Sequence, residues 1–153
     1  MDTTTTADGQ SAERGGTNSA VATWHGDWLC SVQAGGFRLI VDEPPEVGGT
    51  GSGPMPTDLL LASLASCYAL ALAWAARKRS LDLPDLKVTA TGSYAGPRFA
   101  SLALTVHTSL PAEHVTPLLE PARRVCYVSN TFANVPEIVV SLAEPVTAAD
   151  RRQ

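Results

Sequence analysis

The sequence predicts an α+β domain. Short strand-like runs precede one long apolar helix, two stretches of period-two alternation follow it, and a shorter helical stripe comes after them. At 153 residues the chain suits one domain, with a core large enough to need no disulfide or metal staple. Eleven lysines and arginines against fifteen aspartates and glutamates leave a net charge of −4, and the pI is about 5.2. That balance points away from nucleic acid and from anionic membrane surfaces. Three cysteines, with no apolar run near the N-terminus, argue against a secreted disulfide scaffold. A cytoplasmic location is expected, where cysteine chemistry is catalytic or redox-sensing.

Residues 1–19 are polar, rich in threonine and glycine, and aperiodic. A disordered tail is expected there, lacking the charged start, apolar middle and cleavage site of a signal peptide. A single domain is expected over 20–143, followed by a polar tail at 144–153. Segments 21–24 and 28–33 read as strands around a turn at His25-Gly26-Asp27, and FRLIV at 37–41 follows as a third. Asp42-Glu43-Pro44-Pro45 then stops regular structure. Cys30, among Trp28, Leu29 and Val32, reads as a packed, inert thiol.

The central stretch, 48–79, is a glycine-proline loop running into an apolar helix. Pro56 has a fixed φ that suits the first helical position, and Asp58 complements the positive end of the dipole. Leu60, Leu64, Cys67, Ala71 and Ala75 share one helical face. Arg77, Lys78 and Arg79 close the helix with positive charge, as the dipole favours. Residues 59–76 carry no charge, and ~18 or more apolar residues is the length that spans a bilayer. The many alanines and serines favour instead the central helix of a core or of a subunit interface. Taken alone, a thiol such as Cys67 on that helix reads as packing.

A connector at 81–85 leads to LKVTATGSY (86–94) and FASLALTVHT (99–108), a hairpin around Gly96-Pro97. Leu102, Leu104 and Val106 form its core face, with His107 opposite. His25, His107 and His114 stand apart, and no cysteine or histidine pair has metal-ligand spacing, so no metal is expected. The stripe Val115, Leu118, Leu119, Ala122 and Val125 predicts a second helix over 113–125. Thr116-Pro117 suits a cap and first helical position, and Pro121 is expected to kink that helix or confine it to a short turn. Cys126 follows. Ser129-Asn130 then marks a turn, and EIVVSL at 137–142 is expected as the last strand.

The glycine-proline loop, LLLASLASC on a long helix and, about sixty residues later, a helix ending in CYVSN resemble the OsmC/Ohr family, the osmotically inducible and organic hydroperoxide resistance proteins. The order of elements is similar as well, over roughly 24–142. This resemblance implies an OsmC-like fold, with strongly curved antiparallel sheets around two long central helices. It implies an intertwined homodimer with its active sites at the subunit interface. It also implies a thiol peroxidase of oxidative stress defence, acting on organic hydroperoxides. Cys67 would be the peroxidatic thiolate and Cys126 the resolving thiol. No cofactor is implied beyond an external dithiol that restores the pair, and neither nucleic acid nor membrane is implied as a partner.

The chain departs from the family pattern in its charged groups. The family's peroxidases carry a glutamate ten residues before the cysteine, in a Pro-Glu pair, and an arginine that it holds. Here that position is Thr57, with Asp58 one residue on, and Arg38 is the sole cation between Phe37 and Cys67. Thr57, Asp58 and Arg38 are therefore the candidates for orientation and charge; a surface arginine on an edge strand is the competing reading of Arg38. Cys67 lies more than two turns into its helix, beyond the reach of the dipole. Burial among Leu60, Leu64 and Leu70 is expected to raise its pKa. The alternative is a non-catalytic dimer that senses redox state or binds an apolar small molecule, in a pocket lined by the central helices, Trp74 and Phe132. A Cys67 pKa clearly below the free-thiol value of ~8.5 fits catalysis, and one at or above it fits binding.

Overall fold

A computed structural model describes residues 16–143. The expected tail at 144–153 lies outside the described residues, as does all but 16–19 of the expected tail at 1–19. The chain divides into two compact units, Met1–Leu59 and Leu60–Gln153.

In the first unit, β1 (Ala20–Gly26), β2 (Leu29–Ala34) and β3 (Phe37–Val41) form an antiparallel sheet in that order. Cys30 is half-buried, opposite Trp24 on one side and Val41 on the other. The first turn falls later than expected, because His25 and Gly26 belong to β1 and the loop is Asp27-Trp28. Gly26 and Asp27 both take positive φ, 114° and 44°, and aspartate is among the residues that tolerate the left-handed region. The Trp24 indole N–H donates to the Asp27 carbonyl at 3.0 Å and clamps the loop.

The loop after β3 folds back over it. Asp42, only 1% exposed, accepts hydrogen bonds from the N–H of Glu43 (2.8 Å), the N–H and hydroxyl of Thr50 (3.0 and 2.6 Å) and the N–H of Ser52 (3.1 Å). These donors hold its carboxyl well below the usual carboxylate range, at about 2, with the Thr50 hydroxyl the largest cause. Glycine is required at 49 and 53, where a Cβ would collide with the carbonyls of Glu43 and Ile40. The loop hands over to α1 (Pro56–Arg77). There the Asp58 carboxylate reaches back to the Met55 N–H at 3.0 Å and satisfies one orphan donor of the helix start.

In the second unit, the core is built from Tyr68, Ala71, Leu72, Ala75 and Ala76 of α1 together with Leu118, Ala122 and Cys126. Val88, Leu104 and Val106 of the hairpin β4 (Lys87–Tyr94) and β5 (Phe99–His107) pack against it. The hairpin alternates as expected, with Leu102, Leu104 and Val106 turned inward and His107 exposed. The Tyr68 hydroxyl donates to the Leu119 carbonyl at 3.0 Å and ties α1 to the next helix. Ala62, Ser63, Ser66 and Leu70 make an exposed face on α1, and the helix is long and apolar enough to cross a membrane by length and composition alone.

Three expectations are corrected here. α2 (Ala112–Val125) continues through Pro117 and Pro121, so Thr116-Pro117 is not its start and Pro121 does not confine it to a short turn. The two prolines are four residues apart on one helix face, exposed and half-exposed, so the carbonyls they leave unbonded face water instead of the core. Ser129-Asn130 is no turn. Both residues lie inside α3 (Tyr127–Ala133), where the Ser129 hydroxyl and the Asn130 amide bond the carbonyls of Cys126 and Arg124. Residues 137–142 form no strand: they are exposed and make no backbone hydrogen bond to any described residue. Period-two alternation marks the faces of a strand, but a strand also needs a partner edge, and none lies beside this segment among the described residues.

Candidate active site

The second unit brings Cys67 and Cys126 together. Cys67 stands on the α1 face that packs against the core cluster and is half-buried. Cys126 is fully buried, in the single residue between α2 and α3. It ends α2, giving its N–H to the Ala122 carbonyl at 3.0 Å, and leaves the helical region at φ −78° and ψ 103°. Its own carbonyl accepts the Asn130 N–H at 3.0 Å as α3 begins. The break between the helices turns the Cys126 side chain into the core beside Cys67. Both are free thiols, with side chains within hydrogen-bonding reach of each other.

Two kinds of group act on the Cys67 sulfur. Burial raises its pKa and is the largest effect, and the Cys126 thiol raises it further. The backbone N–H groups of Val128 and Tyr127 point at the sulfur and lower it. The net direction is upward, so Cys67 rests as a thiol at neutral pH. Leu70 plays no part in that burial, because it is 73% exposed.

The other candidates belong to the first unit. Thr57 occupies the second helical position of α1, and Asp58 is engaged with the Met55 N–H. Nine residues, about two and a half helical turns, separate Asp58 from Cys67. Arg38 is exposed on β3, opposite Gln33. Sequence reasoning missed the backbone donors at 127–128, which carry no side-chain signal. It also missed the role of Asp42, whose donors are mostly the backbone of a glycine-rich loop.

A cavity of about 660 Å³ lies between β5 and α2, with walls that include Tyr68, Leu104, Val106, Val115, Leu119 and Arg123. The expected pocket walls Trp74 and Phe132 are not part of it, and neither is Cys67. Trp74 packs against the core cluster, and Phe132 is exposed on α3. Among the described residues no cluster of histidine, cysteine or carboxylate side chains has the arrangement of a metal site.

The model of the OsmC-like protein family matches residues 49–141. The chain belongs to the OsmC-like family. Its fold is that of OsmC proteins of known structure. One is an organic hydroperoxide resistance protein OsmC of Legionella pneumophila, 30% identical, with a TM-score of 0.62 over 76% of this chain and 88% of that one. Another, from Vibrio cholerae, is described as an organic hydroperoxide resistance protein and was solved with captopril in one of its active sites. It is 28% identical, with a TM-score of 0.64 over 82% of this chain and 90% of that one. The uncharacterized protein YmaD of Bacillus subtilis is 29% identical over 73 residues, 46% of this chain. The match spans about half the length of that curated relative, 49%.

Proposed function

We propose that this OsmC-like protein reduces organic hydroperoxides through a two-cysteine cycle, as a homodimer in the cytoplasm. The observation that carries the reading is the contact between the Cys67 and Cys126 thiols in the core of the second unit. The hydroperoxide resistance named for the Legionella and Vibrio proteins supports the choice of oxidant. In the cycle the Cys67 thiolate attacks the terminal peroxide oxygen. A sulfur–oxygen bond forms, the oxygen–oxygen bond breaks, and the alkoxide leaves as an alcohol after taking a proton. Cys126 then attacks the Cys67 sulfenic acid, a disulfide forms and water departs. An external dithiol restores both thiols by exchange, becoming a disulfide itself. Cys67 is the nucleophile because it is the more exposed of the two, and only an accessible thiolate meets substrate.

The test is consumption of cumene hydroperoxide with a dithiol, run beside hydrogen peroxide and Cys67→Ser. Turnover that disappears in Cys67→Ser, with a trapped sulfenic acid in Cys126→Ser, is the expected result. Equal consumption by wild type and Cys67→Ser refutes the assignment.

One observation favours a second reading, a dimer that senses redox state or binds a small molecule. The Cys67 pKa lies above the ordinary thiol value, which makes for a slow nucleophile at neutral pH. The cavity beside β5 offers such a protein an open cleft lined by both apolar side chains, such as Leu104 and Val106, and polar ones, such as His107 and Arg123. Thiols that stay titratable under excess hydroperoxide would select the small-molecule-binding form of this reading over the first.

A further inference from the structure

The cavity between β5 and α2 lies wholly within the second unit, and neither Cys67 nor Cys126 is in its wall. Its volume of about 660 Å³ is that of a small-molecule site, for which roughly 300–1,000 Å³ is usual. One side of it is a ridge of α2. Val115, Leu119 and Arg123 follow one another at steps of four residues, so one helix face passes from apolar to charged over about 12 Å. Leu104 and Val106 of β5 supply the opposite side. Tyr68, bonded to the Leu119 carbonyl, and Ser129, bonded to that of Cys126, add hydroxyl groups toward the charged end.

The charge in the wall has one sign. Among the described residues no carboxylate lines the cavity, and Arg123 is its one permanently charged group. His107, also in the wall, carries no negative charge in either protonation state. Arg123 donates from Nε and Nη2 to Glu120 at 3.0 and 3.2 Å. That engages two of the five guanidinium N–H groups and leaves three for an anion. Arg124 stands beside it in the last turn of α2, and Glu120 is the sole carboxylate between Val115 and Val125. One positive charge is therefore left unanswered on this part of the helix.

We propose that this cavity binds an aliphatic monocarboxylate, its carboxylate on the Arg123 guanidinium and its chain along Leu104, Val106, Val115 and Leu119. Both halves of the wall are then satisfied. The head forms charge-assisted hydrogen bonds with a planar donor suited to carboxylates. The chain covers branched aliphatic side chains, and each fully buried methylene tightens binding about fourfold. A carboxylate also matches the single unanswered charge, which a cation or a neutral guest does not. The inference rests on the small-molecule-binding reading given above and names its ligand class, and it uses no chemistry at Cys67.

The test is calorimetric titration of the reduced protein with decanoate below its micelle threshold, beside octanoate and 1-decanol, with methyl NMR to locate the ligand. One decanoate per chain is expected, shifting the methyl signals of Leu104, Val106, Val115 and Leu119. Octanoate, two half-buried methylenes shorter, should bind about fourfold more weakly. Arg123→Gln should weaken decanoate about tenfold, as loss of a hydrogen bond to a charged group does, and leave decanol unchanged. Thr116→Trp, at an exposed position of the wall, should exclude decanoate by filling the cavity. Equal affinity for decanoate and decanol, or decanoate binding unaltered in Arg123→Gln, overturns the carboxylate assignment while a small-molecule site survives. Binding of neither compound overturns the proposal and that reading together. Methyl signals that answer to protein dilution and not to decanoate do the same, because a second copy then covers the cavity.

Discussion

At Cys67 two opposing influences meet: burial favours the neutral thiol, two backbone N–H groups favour the thiolate, and burial prevails. A free thiol reaches its full thiolate population above a pKa of ~8.5. Cys67 titrates higher, so its alkylation rate should still climb with pH where that of a free thiol has levelled. Iodoacetamide labelling of Cys67 across pH 6 to about 11 checks this, and a plateau below pH 8 would contradict it. Asp42 presents the opposite case. Its folded pKa of about 2 lies below the unfolded value, so its contribution to stability is present above pH ~4 and lost as pH falls toward 2. In Asp42→Asn, overall stability should fall and this acid dependence should flatten, as followed by circular dichroism between pH 2 and 6. The two residues also differ in how far they could be read in advance. The rise at Cys67 follows from its apolar helix face. The fall at Asp42 does not, because the donors come from a loop folded back over the preceding strand.

At the scale of elements, helices α1 and α2 are held together by contacts whose removal has defined costs. Tyr68→Phe deletes the hydrogen bond to the Leu119 carbonyl and should cost about 1 kcal/mol. Leu72→Ala empties a site that is 0% exposed in the middle of the core and should cost about 3 kcal/mol. Urea denaturation measures both. What was legible in the sequence at this scale is the set of elements with strong local signals. The β4–β5 hairpin has clean alternation around Gly96-Pro97, and α1 has a proline start, an acidic first turn and a basic end. What was not legible depended on solvent or on partners. Pro117 and Pro121 break hydrogen bonds only on an outward face, so α2 survives them. Residues 137–142 have the pattern of a strand, but no partner edge lies beside them among the described residues.

For the whole molecule, the fold class follows from the order of elements, and family membership rests on the loop-helix motif and on CYVSN. The meeting of Cys67 with Cys126 is a property of packing. It depends on α1 lying against α2 and on the break at Cys126 between two helices, which no spacing of fifty-nine residues encodes. The second unit exposes large apolar residues, from Leu70 to Leu142, and the proposed homodimer offers them cover. A sedimentation measurement is expected to give twice the monomer mass of 16.0 kDa. The claim on which the functional reading turns is that these two thiols work as a pair. It is tested most directly by exposing reduced protein to one equivalent of cumene hydroperoxide, then mapping disulfides by peptide mass spectrometry. A Cys67–Cys126 disulfide with Cys30 still free is the expected result. Two unmodified thiols, or Cys67 oxidised with no bond to Cys126, would contradict it.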